Sequence, residues 1–207
     1  MLKLLKPAIL VTAVFTIGAG FLFPAVVTLF AHLLFPNQAN GSLVKYNGAV
    51  VGARQIGQSF TSPWYFHPRP SAAGNGYDAS NSGGTNLGPT SAKLINGAPA
   101  TGGSGGFTGI AQLAVEYRKE NGLPASTPLP ADAVTYSASG LDPDISPANA
   151  KLQGARVASA TGLTLSAVDA AIAQNTHGRT FGLLGEPRVN VLALNLTIAR
   201  LKAAGKS

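Results

Sequence analysis

Few side chains in this sequence have the type and spacing that chemistry requires. Its 207 residues include three histidines, eight acids and no cysteine, which removes thiolate nucleophiles, cysteine-held metals and any disulfide framework. Gly102-Gly103-Ser104-Gly105-Gly106 matches the G-x-S-x-G pattern, in which a strained strand-to-helix turn exposes a serine nucleophile. It lies in glycine-rich chain with no strand ahead of it, so a loop is the plainer reading, and an anchored hydrolase working through Ser104 is not expected. Asp142-Pro143-Asp144 followed by Ser146 begins like a calcium loop. The sixth position, however, is Pro147 instead of glycine, and the twelfth is Gln153 instead of glutamate. The two acids fit a turn into a helix that starts at Ser146-Pro147, with carboxylates near the positive end of its dipole. His67 and His177 have no partner at zinc-ligand spacing, so no metal site is expected.

Nucleotide chemistry has an equally small footprint. No glycine stands at P-loop spacing before a Lys-Ser/Thr pair, and no Asp-Lys-Thr-Gly phosphorylation motif occurs. The chain is therefore not the energy-transducing subunit of a P-type pump. Ser82-Gly83-Gly84 resembles the signature segment of ABC-type ATPases, a glycine-rich turn whose amides can face phosphate; the same residues also suit an ordinary loop. The formal charge of +7 raises nucleic acid as a partner. Yet the lysines and arginines are scattered singly, with no aromatic-basic pattern, which reads as a solvated basic surface. Trp64, Tyr65 and Phe66 then read as local packing.

These residues need elements to hold them. Residues 43–46 and 49–56 flank Asn47-Gly48, the pair suited to both positive φ angles of a type I′ hairpin turn. Residues 57–106 read as irregular chain, with ten glycines between 71 and 106. The segment nevertheless carries Tyr65, Phe66, Arg69 and Leu87, so part of it is expected to be held against the domain or a partner. Apolar periodicity predicts helices over 108–121, 146–162, 165–175 and 190–204, with Gly122 and Gly162 as stops and Ser146 as an N-cap. Residues 133–136 are expected to add a strand. The fold class is α+β, helices beside a small sheet, over a domain spanning 40–207.

The N-terminus is of another kind. No charge falls between Lys6 and Lys45, and residues 8–35 form a 28-residue apolar run. As a helix it would reach about 42 Å, against a hydrocarbon core of about 30 Å. A signal peptide cleaved near Gly18-Ala19-Gly20 is the rival, but the apolar run continues well past that point. Residues 1–36 are read as a retained membrane anchor, with Pro24 loosening the helix one turn earlier. Lys3 and Lys6 before the span, and an uncharged 36–44 after it, put the N-terminus in the cytoplasm and the body outside.

Several blocks together carry a resemblance. They are Gln38-Ala39-Asn40-Gly41-Ser42-Leu43, Ile56-Gly57-Gln58-Ser59-Phe60, Tyr65-Phe66-His67-Pro68-Arg69-Pro70-Ser71-Ala72, Ser82-Gly83-Gly84-Thr85-Asn86-Leu87-Gly88-Pro89, Ser139-Gly140-Leu141-Asp142-Pro143-Asp144-Ile145-Ser146-Pro147 and Val189-Asn190-Val191-Leu192. In this order behind one span they resemble the KdpC family, small subunits of the Kdp potassium-transporting P-type ATPase. Position 85 is Thr where that family more often has Ser. The resemblance implies a bacterial inner-membrane complex that handles K+ and ATP. In it a channel-like subunit selects potassium, a P-type subunit hydrolyses ATP, and a tiny single-helix subunit and this chain complete the assembly. The family is also described as a catalytic chaperone that raises the ATP affinity of the hydrolysing subunit, which would make Ser82, Gly83 and Gly84 nucleotide contacts. A body outside the membrane cannot touch cytoplasmic ATP, so the leading expectation is an accessory subunit that supports assembly and caps the ion entrance. Phe66, Arg69, Asn86, Leu87 and Asp142 are its expected contact or loop-ordering residues.

Overall fold

The computed structural model describes residues 2–100 and 106–205. The G-x-S-x-G segment, Ser104 included, lies outside the described residues except for Gly106. The chain divides into two units, Met1–Ala53 and Arg54–Ser207.

The first unit opens with helix α1 (Leu2–Ile17), continues through a π-helical turn (Gly18–Leu22) and resumes as α2 (Phe23–Leu34). The wide turn sits one turn ahead of Pro24, where the missing N–H and the ring's clash with a carbonyl four residues back disturb regular α spacing. Among the described residues, Lys3–Leu34 is the one helix, 32 residues in length, that is long and apolar enough to cross a membrane. Its leucines, valines and phenylalanines are exposed, as lipid-facing side chains are in a helix without protein neighbours. A short α3 (Pro36–Ala39) leads to strands β1 (Leu43–Tyr46) and β2 (Ala49–Ala53), paired antiparallel. Asn47 and Gly48 take φ of 50° and 80°, the positive pair a type I′ turn needs.

The second unit carries α4 (Ala92–Asn96), α5 (Ile110–Glu120), α6 (Ala131–Val134), β3 (Asp144–Ile145), α7 (Pro147–Thr161), α8 (Leu165–Gln174), β4 (Thr176–His177), β5 (Arg188–Asn190) and α9 (Val191–Ala204). Side chains start the long helices. Ser146 Oγ accepts from Asn149 N, Thr164 Oγ1 from Ala167 N, and Asn190 Oδ1 from Ala193 N, each satisfying a first-turn amide that has no helical partner. Gly162 ends α7 at φ 76°, a left-handed C-cap. The sheet order is β3-β5-β4, all antiparallel, with Ile145 and Thr176 both opposite Val189. The core lies where α7, α8 and α9 meet this small sheet, around Val157, Val168, Val189, Leu194 and Ile198. Phe66 from the long irregular segment belongs to the same cluster. The architecture is α+β.

One expected strand is a helix. Residues 131–134 form the single turn α6, and Thr135 beyond it is extended without joining a strand. Pro130 enters with φ −65°, and Ala133 and Val134 are both buried. Consecutive residues of a strand face opposite ways, so a turn of helix is what lets both leave water. Strand β2 also stops at Ala53, short of the predicted 56.

Candidate functional site

The irregular segment 57–89 is held by side chains where a sheet would use backbone. Asn195 on α9 accepts from Phe66 N at 2.7 Å and donates to Phe66 O at 3.0 Å. Gln153 on α7 repeats the arrangement one residue later, accepting from His67 N at 2.7 Å and donating to His67 O at 3.0 Å. Each amide imitates a neighbouring strand, so the extended chain enters the protein without orphaned polar groups. Both amides are buried, and their absence would leave backbone donors and acceptors unpaired. Arg156, also on α7, donates to Pro63 O, Tyr65 O, Gln153 Oε1 and Asn121 Oδ1. Burial draws its guanidinium below the ordinary arginine value, opposed by the charge of Glu120. His67 turns its ring between Ser62 O (Nε2, 3.0 Å) and Glu120 Oε1 (Nδ1, 2.6 Å). The His67 hydrogen bond holds the Glu120 carboxyl below its usual range, against the opposing effect of burial.

The next residues meet a hub at 137–146. Arg69 pairs with Asp142 at 2.9 Å, and a second nitrogen reaches towards Thr135 Oγ1 and Tyr136 O at 3.4 Å. Ser71 Oγ donates to Gly140 O, and Ser137 N donates to Pro70 O. Tyr77 OH donates to Arg69 O; burial, with the charge of Asp142, raises its pKa. Ser82 Oγ and Gly83 N both donate to Ser139 O, and Gly57 N donates to Leu141 O. From the C-terminal side Asn190 Nδ2 donates to Arg54 O and Asp144 Oδ1, and Val191 N to Pro143 O. Backbones approach closely here: a Cβ at Gly84 would stand 2.7 Å from Ala138 O, closer than carbon and oxygen tolerate.

Two hollows flank the hub. One, of about 470 Å³, is lined by Arg69, Asp132, Asp142, Asp144, Glu186 and Arg188 among others. Its charges are paired internally: Asp132 accepts from Ser146 and Asn149, Asp144 meets Arg188, and Glu186 meets Arg179. Among the described residues no group of three His, Cys, Asp or Glu is arranged to hold a metal. Asp142-Pro143-Asp144 is a turn in which Asp142 Oδ1 accepts from Asp144 N. The other hollow, of about 320 Å³, is lined by Thr85, Asn86, Leu87, Leu94, Ile110 and Tyr136 among others.

Both units fall within one family match. The model of the K+-transporting ATPase c chain, KdpC, matches residues 5–200. The chain belongs to the KdpC family. It is 48% identical over 201 residues to the potassium-transporting ATPase KdpC subunit of Mycobacterium tuberculosis (strain ATCC 25618 / H37Rv), covering 97% of this chain and all of the relative. The KdpC subunits of Koribacter versatilis and Gemmatimonas aurantiaca are also 48% identical, over 96% and 100% of this chain and 95% and 98% of theirs. In this KdpC-family chain the structure joins Arg69 to Asp142 directly and buries Phe66 in the core against Asn195. Asn86, exposed at φ 54°, and Leu87, half-buried, sit apart at the smaller hollow. Ser82, Gly83 and Gly84 face the hub loop. Sequence reasoning passed over Gln153, Asn195, Arg156 and Glu120. A signal existed for Asn195, a lone amide in the apolar run Val191-Leu192-Ala193-Leu194-Asn195-Leu196. None existed for the His67–Glu120 pair, whose members lie far apart in sequence.

Proposed function

We propose that this chain is the non-catalytic accessory member of an ATP-driven potassium uptake complex in the bacterial plasma membrane. Lys3–Leu34 anchors it with the N-terminus in the cytoplasm, and the body outside braces the assembly and caps the ion entrance of a channel-like subunit. The P-type ATPase subunit and a small single-helix subunit are its other partners; K+ and ATP are handled by the complex. One observation supports this reading: the family match runs from residue 5 to 200, so it takes in the apolar helix and the body together. The recurring motif residues fit such a role because their polar groups bind one another, which makes a stiff docking body. Asn86 and Leu87 are proposed as contacts with the other subunits, and Phe66, Arg69 and Asp142 as the residues that order the loop carrying them.

The experiment compares complexes purified with and without this chain for K+-stimulated ATP hydrolysis and K+ uptake. Loss of both without the chain is expected; equal turnover refutes the proposal. The chain has no cysteine, so a single Lys45→Cys labelled on intact cells by an impermeant thiol reagent reads the orientation. With the body outside, any effect on ATP affinity must be a coupling free energy transmitted through membrane subunits. Direct cradling of phosphate by Ser82–Gly84 would have to displace the bonds to Ser139 O, and a flat calorimetric titration with ATP is expected.

A further inference from the structure

His67 sits between two groups that a neutral imidazole cannot satisfy together. Its Nε2 stands 3.0 Å from Ser62 O, and its Nδ1 stands 2.6 Å from Glu120 Oε1. A carbonyl and a carboxylate only accept, whereas a neutral ring offers one donor and one lone pair. Both contacts are hydrogen bonds only when both ring nitrogens carry protons. The proton facing Glu120 rides on nitrogen: the His67 hydrogen bond holds that carboxyl below its usual range against burial, helped by the charges of His67 and Arg156. The two sides of the ring are unequally fixed. Phe66 and His67 are clamped at both backbone groups by Asn195 and Gln153, and Glu120 closes α5. Ser62 lies on the other side, in a turn where Tyr65 N also donates to Ser62 O. That turn carries Trp64, whose ring centroid is 3.8 Å from that of Tyr65 and 4.7 Å from Lys202 Nζ.

We propose that His67 is a proton-operated latch on the 62–65 turn: the doubly protonated ring ties Ser62 to Glu120, and loss of one proton lets Ser62 go. The proton that stays is the one facing the carboxylate, since a charge-assisted hydrogen bond is the stronger of the two. Nε2 then turns a lone pair towards Ser62 O, and an attraction becomes a repulsion. Arg156 keeps Pro63 O and Tyr65 O in either state, so the turn loosens while the segment stays in place. The other ionisable groups about the pair are Tyr117 on α5 and Arg156 on α7, each of which feels the charge of Glu120, and Asp132 on α6, which acts on Tyr117. Burial raises Tyr117, with Asp132 and Glu120 adding to it, and a guanidinium does not give up its proton. An imidazole is the side chain that changes charge near neutrality. With the body outside the membrane, the proton comes from the surroundings of the cell; the latch itself does not depend on that orientation.

Hydrogen exchange of the full chain in mild detergent, corrected for the intrinsic rate at each pH, reads the latch at the Tyr65 amide. From about pH 5 to pH 8 its protection should fall roughly two- to tenfold, the worth of one hydrogen bond. The Val168 amide in α8, which donates to Thr164 O, should keep its protection over the same range. Glu120→Gln separates a latch from a structural contact. An amide can donate to a neutral ring or accept from a charged one, so both bonds survive and the pH dependence should vanish. His177→Gln should leave the fall at Tyr65 intact, which assigns it to His67. Level protection of Tyr65 in the wild-type chain overturns the proposal, as does a fall that persists in Glu120→Gln or disappears in His177→Gln. A parallel fall at Val168 also overturns it, because the whole body is then loosening.

Discussion

Replacing Asn195 by alanine tests the claim that two side-chain amides, not a sheet, fix the irregular segment. Asn195 is 2% exposed and Phe66 is fully buried, so no water stands ready to replace the two bonds of 2.7 and 3.0 Å. Truncation strands one buried N–H and one buried C=O, each costing about 1–3 kcal/mol, or about 2–6 kcal/mol together. That is a large share of the roughly 5–15 kcal/mol that holds a domain folded. At roughly 2–4 °C per kcal/mol for a body of this size, the melting point should fall by roughly 5–20 °C. The full chain in mild detergent can be titrated with urea and followed by fluorescence, because the sole tryptophan, Trp64, lies two residues from Phe66. Asn195→Asp sharpens the result. It keeps an acceptor for Phe66 N but turns a carboxylate oxygen towards Phe66 O, so it should be at least as damaging at neutral pH and recover partly on acidification, when the carboxyl can donate. A loss below about 1 kcal/mol for Asn195→Ala, or wild-type stability of Asn195→Asp at pH 7, would refute the argument.

Two further outcomes follow from the same network. Arg69 and Asp142 are each about a quarter to a third exposed, and Arg69 Nε is buried without a partner. Asp142→Asn should therefore destabilise the body by about 1–3 kcal/mol, and adding Arg69→Gln should cost less than the two single effects summed, a coupling that a double-mutant cycle in urea reads. Glu120 is held below its ordinary value by the His67 hydrogen bond. Its contribution is thus fully present above the unfolded carboxyl's pKa and is lost as pH falls through the lower folded value; Glu120→Gln should flatten that part of the acid limb of the stability profile.

The sequence by itself determined several features that depend on local pattern. The long N-terminal helix is legible because residues 8–35 carry no formal charge and only three threonines and one histidine interrupt their largely apolar side chains. The type I′ turn is legible at Asn47-Gly48, and the helix beginning at Ser146 and ending at Gly162 is legible because caps and stops act within a few residues. The ordered motif blocks likewise announced the family. Tertiary structure alone decided how those blocks touch. Gly57 meets Leu141, Arg69 meets Asp142, Ser82 meets Ser139 and His67 meets Glu120, pairings across tens of residues that no periodicity encodes. The segment 57–89 reads as irregular chain, with part of it held against the domain or a partner, but nothing local says by what. It is ordered because polar side chains on α7 and α9 satisfy its backbone from outside, and that supply depends on where the packed helices stand. The strand expected at 133–136 went the same way: propensity allowed it, and the helical turn 131–134 instead buries both Ala133 and Val134.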